Sequence, residues 1–165
     1  MGRMYSGRVA AVNLPATNAF DVFELVCPSD SCVVVHSISF GQSGTGDYGD
    51  AQAEGLPMEL IRLSGATTSG SGGSTPTPAP HSFGDPAFGG TLEASNTTVA
   101  VVGSGALTTI RSEAFNVQAG YQYLPTPEER IVLSPSQSLV VRIPVGPADA
   151  ISTTYATITF EEVGG

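Results

Sequence analysis

The chain has 165 residues, about one domain's worth, and 41% of them are hydrophobic, so a substantial core is within reach. Twenty Gly and twelve Pro argue against long helices, and no run nears the roughly 20 apolar residues of a membrane-spanning helix. Fifteen acids against six bases, all Arg, give −9, which excludes phosphate-led nucleic-acid binding and docking on anionic membranes.

The start, Met1-Gly2-Arg3-Met4-Tyr5, carries a charge but no apolar stretch behind it, so no secretory signal is expected. Strand-like segments then alternate with turn-rich loops. Tyr5–Leu14 is the first, closed by Pro15, and Ala19–Val26 the second. In Cys32–Phe40, Val35, Ser37 and Ser39 alternate with His36, Ile38 and Phe40, the period of a half-buried strand. His36, after three valines, is predicted to pack within it. Met58–Leu63 follows; Glu59 and Arg62 on opposite faces place it near a sheet edge.

Residues 65–90 differ. Ser69-Gly70-Ser71-Gly72-Gly73-Ser74 is flexible by composition, and Thr75-Pro76-Thr77-Pro78-Ala79-Pro80 favours extended polyproline II. So long a loop is functional, disordered or held by a partner. The flanks are β in character on both sides, which argues for one domain over residues 1–165. Thr91–Glu93, Thr97–Val102, Ala106–Val117, Tyr121–Leu124, Ile131–Leu133, Leu139–Val145 and Ile151–Val163 complete the set, with single helical turns expected at Ala51–Gly55 and Pro127–Arg130. Eight to ten strands at this spacing predict an all-β sandwich or barrel.

Chemical motifs are sparse. Gly44-Thr45-Gly46-Asp47-Tyr48-Gly49 matches a dinucleotide fingerprint by letter, but Gly55 and Pro57 stop the helix that it needs. Asp47, Asp50 and Glu54 offer oxygen ligands without the EF-hand spacing. His36 and His81 are the only histidines, too few for a barrel metal centre, and no Gly-x-Ser-x-Gly elbow is present. Cys27 and Cys32, with four residues between them, read as free thiols, with a hairpin disulfide as the alternative. Asn96-Thr97-Thr98 is a glycosylation sequon by letter. Phe83, Phe88, Tyr121 and Tyr123 beside Pro-rich loops suit core plugs, subunit contacts or a sugar-stacking platform. These readings give no catalytic residue, cofactor or metal.

Four stretches carry a resemblance: Ser69–Pro80, Phe88–Thr98, Glu113–Arg130 and the closing Thr159–Gly165. Together they resemble small accessory proteins of tailed bacteriophages, over roughly Phe20 to Gly165. The resemblance implies a non-enzymatic virion component, a β-sandwich decoration (cement) protein on the outer face of the capsid. It also implies a trimer whose partner is the major capsid protein of the same phage, assembled in the bacterial host cytoplasm. The combined expectation is a single-domain, jelly-roll-like antiparallel sandwich that bridges neighbouring shell subunits. A receptor- or glycan-binding module of a head or tail fibre is the alternative, and a hydrolase on a β scaffold a third. Two segments are expected to make the inter-subunit contacts. One is Thr75–Pro86 and its surroundings, with Thr75, Pro76, Pro78, Pro80, Phe83 and Phe88, ordered by a neighbour rather than by its own core. Deleting it is expected to weaken assembly without unfolding the sandwich. The other is residues 1–14, an edge strand or arm, where Arg3 and Arg8 stand without any acid.

Overall fold

A computed structural model describes residues 2–43 and 54–164. The Gly44–Gly49 motif, Asp47, Asp50 and residues 51–53 lie outside the described residues. The architecture is all-β and antiparallel throughout. In chain order the strands are β1 (Arg3–Leu14), β2 (Phe20–Val26), β3 (Ser31–Gln42), β4 (Gly55–Ser64), β5 (Thr67–Thr68), β6 (Ala79–Pro80), β7 (Thr91–Asn96), β8 (Val101–Val102), β9 (Ala106–Asn116), β10 (Tyr121–Tyr123), β11 (Ile131–Leu133), β12 (Ser138–Ile143) and β13 (Ile151–Gly164). A 3-10 turn at Pro127–Glu129 stands where a helical turn is expected.

The first sheet runs β10-β3-β13-β1-β6, with β11 also paired to β3. The second runs β7-β2-β12-β4-β9, and β5 and β8 form a small separate ladder. Strands β1 to β4 alternate between the two large sheets, as do the closing β11, β12 and β13. Each crossing lets a strand bury one face against the opposite sheet. The shared core takes Tyr5, Val35, Ile38, Leu133, Ile158 and Phe160 from the first sheet and Phe23, Leu25, Leu60, Leu139 and Val141 from the second. No helix among the described residues is long and apolar enough to cross a membrane.

Single-residue bulges explain where simple alternation fails. Ser37 pairs with Thr159, but Val35 pairs with Phe160, so β3 carries one extra residue there. Val33, Val35, Ile38 and Phe40 can then all face inward. His36 lies within β3 as expected, turned outward and half-buried, with Nε2 3.1 Å from Glu161 Oε2. On β4 the expected edge position is corrected. β4 lies inside its sheet, between β12 and β9. Its outward residues Ile61 and Leu63 join Val140 and Ala100 in a second small core on the outer face of that sheet. Of Thr97–Val102 only Val101–Val102 is strand; the rest closes over this second core.

Candidate assembly surfaces

Residues 65–90 are tied to their own sandwich, contrary to the expectation that a neighbour orders them. Ser71 exchanges backbone hydrogen bonds with Thr98, and Ser74 with Ala94. The glycines here serve close approach. A Cβ on Gly70 would stand 2.6 Å from Asn96 Nδ2 and 2.7 Å from the Thr98 carbonyl, and one on Gly73 would collide with the Ala94 carbonyl. Further on, Ala79 and Pro80 pair with Ser6 and Tyr5, the His81 N–H donates to the Met4 carbonyl, and the Tyr5 hydroxyl donates to the Pro86 carbonyl. The segment is a strap along the open side of β1. Deleting it would uncover that edge and strip these bonds, so the expectation of an unaffected sandwich is withdrawn.

The predicted contact residues separate on this geometry. Phe88 is 8% exposed; its ring packs on Phe160 at 4.8 Å and on Tyr5 at 5.6 Å between centroids. It is a core plug and the strap's anchor, not a free contact. Pro78 is buried, Pro76 half-buried, and Thr75 and Pro80 are exposed. Phe83, at the tip of the turn between His81 and Asp85, is 110% exposed. Arg3 is spent internally: it pairs with Glu162 at 3.3 Å and donates to the Gly164 carbonyl at 3.0 Å. Arg8 is exposed. The segment 1–14 is not a free arm: β1 lies between β13 and β6.

Sequence reading missed the buried charges of β2 and β12. Arg142 and Asp21 are cross-strand partners on the outer face of the second sheet. Arg142 donates to Asp21 through Nε at 2.6 Å and through its terminal nitrogen at 3.1 Å, and to the Ala100 carbonyl at 2.7 Å. The Ala100 N–H donates to Asp21 at 2.6 Å. The only signal was a charge within each of two apolar strands. Beside them, Glu24 is buried and accepts from the Gly70 N–H at 2.9 Å. Burial raises its carboxyl above the ordinary value, against the opposing Gly70 and Ser69 hydrogen bonds and with help from nearby Glu93 and Asp21.

The folded chain therefore holds the Glu24 proton more tightly than the unfolded chain does. This contribution favours folding below the unfolded carboxyl value and is lost as pH rises through the folded one. Glu24→Gln keeps an acceptor for Gly70 and is expected to stabilise the fold near about pH 7, with the gain fading below about pH 4. Urea unfolding of both chains at the two pH values checks this; an equal gain at both would contradict it.

The remaining motifs are structural here. Asn96 is 2% exposed and donates to Glu93 at 3.0 Å, which leaves its amide inaccessible as a sequon. Burial pushes the Cys27 thiol up to about 11, and its Sγ lies 3.3 Å from the Ser31 carbonyl and 3.6 Å from that of Leu133. Tyr123 is buried, donates to the Glu129 carbonyl and carries the Arg111 guanidinium over its ring at 5.3 Å, so it forms no open stacking platform. Ser6 Oγ stands 2.8 Å from His81 Nε2; among the described residues no carboxylate is hydrogen-bonded to that ring. Glu54 accepts from the Ala148 N–H.

One surface was not anticipated. On the side opposite the strap, β9 forms the free edge of the second sheet and β11 an edge of the first. Between them lies a groove of about 460 Å³ lined by Arg62, Ile110, Glu128, Glu129, Arg130 and Val132, among others. Ile110 is the extra residue of a bulge, since Leu60 pairs with Arg111 and Ile61 with Thr109. Comparisons with family models, with curated proteins and with solved structures give no match to this chain.

Proposed function

We propose that this chain is a structural component of a tailed-bacteriophage particle, a homotrimer that decorates the outer capsid surface and bridges neighbouring shell subunits. The observation that carries the reading is the strap. A 26-residue, Gly/Ser/Pro-rich segment, counted from 65 to 90, is clamped at both ends and along its length. Between its clamps it makes a turn that offers Phe83 to the surroundings. Such a device holds a contact in place before the partner arrives, which lowers the ordering cost of docking. The strand order supports a jelly roll. Numbering β1, β2, β3, β4, β9, β10/β11, β12 and β13 as eight principal strands, the sheets run 1-8-3-6 and 2-7-4-5, with β6 and β7 added at the rims. Bulges and the strap cover edges that would otherwise pair without control.

The test uses shells assembled without this chain. Added back, the chain is expected to co-sediment with them at a saturating ratio to the capsid subunit and to raise the temperature at which they break. A chain that stays in the supernatant, or that hits a glycan array instead, would contradict the proposal.

A further inference from the structure

We propose that copies of this chain assemble head to tail, with the Phe83 turn of one copy seated in the groove between β9 and β11 of the next. This rests on the assembly part of the reading above. Rings that form in solution but never bind a shell would sink that reading and leave this one standing.

The two surfaces lie at opposite rims of the first sheet: the turn follows β6, and β11 sits at the far end of β11-β3-β13-β1-β6. Five strands set them about 19 Å apart across the sheet. A contact between unlike surfaces at opposite rims is heterologous, and it closes into a ring when the rotation per copy allows. The turn offers an unburied aromatic ring, the kind of anchor that dominates interfaces when a pocket receives it. The groove offers apolar walls in Ile110 and Val132, 39% and 51% exposed on the isolated chain.

Charge selects the same pairing. The protein as a whole repels its copies at −9. Locally the turn carries Asp85, and the groove carries Arg62 and Arg130 beside Glu128 and Glu129. The four ion pairs among the described residues use Arg3, His36, Arg111 and Arg142, so Arg62 and Arg130 in the groove take part in none. Arg130 Nε is buried without a hydrogen-bond partner among those residues. Seating the turn in the groove would bring Asp85 to these arginines, and a guanidinium beside the Phe83 ring would add cation–π attraction.

Native mass spectrometry and light scattering on the full chain test the proposal. The wild type is expected to form a closed oligomer. Phe83→Asp, at an exposed tip, and Val132→Glu, in the groove, are each expected to raise the concentration of half-assembly by about thirtyfold or more while keeping the wild-type circular dichroism. Mixing the two variants is the decisive arm. Each retains one good surface, so the mixture is expected to give a one-to-one heterodimer that grows no further. A wild type that stays monomeric at every concentration, an oligomer indifferent to both variants, or a mixture that stays monomeric would overturn the proposal.

Discussion

Replacing Arg142 with alanine is expected to lower the unfolding free energy by about 3–5 kcal/mol, the cost of leaving a buried partner charge unpaired. Asp21 is completely buried, and Arg142 supplies two of its three hydrogen bonds. The guanidinium also holds the Ala100 carbonyl, so its loss frees the loop that closes over Ile61, Leu63 and Val140. A chain of this size loses about 2–4 °C in melting temperature per kcal/mol, so a fall of about 10 °C is expected. Exchanging both partners for apolar residues, Asp21→Leu with Arg142→Met, is expected to recover part of the loss, because the desolvation cost leaves together with the attraction. Urea and thermal unfolding read both results. A loss below about 1 kcal/mol for the single variant would mean the pair behaves like a solvated surface bridge.

Two phenylalanines five residues apart on the strap are expected to respond in opposite ways. Phe88→Ala is expected to cost about 3–5 kcal/mol, since its ring fills the core against Tyr5 and Phe160. Phe83→Ala is expected to stay within about 0.5 kcal/mol of wild type, as an exposed change away from any packed feature. Denaturant unfolding under conditions that keep both chains monomeric measures each. Equal costs would contradict the division of the strap into an anchor and a presented tip.

The class of fold was legible because period-2 patterning and turn residues report strands directly. Tyr5–Leu14, Ala106–Val117 and Leu139–Val145 each fall on a strand within a few residues. What escaped was set by single-residue bulges and by partners distant in the chain. Nothing local to His36 announces the extra residue that turns it outward, since the cause is its register against Thr159 and Phe160. Residues 65–90 read as loose because Gly and Ser are entropically costly to order, yet Gly70 and Gly73 are there for close approach to Asn96, Thr98 and Ala94. Phe83 and Phe88 look alike in sequence; only the packing of Tyr5 and Phe160 separates them. The groove was invisible because it is built from β4, β9, β11 and the 3-10 turn, which meet only after the sheets have formed.

The most direct test of the proposed capsid role is the ratio of this chain to the major capsid subunit in purified mature particles, together with its position by electron microscopy. A decorating role predicts a fixed ratio set by the shell lattice and density on the outer face. Absence from mature particles, or a small fixed number confined to a fibre, would contradict it.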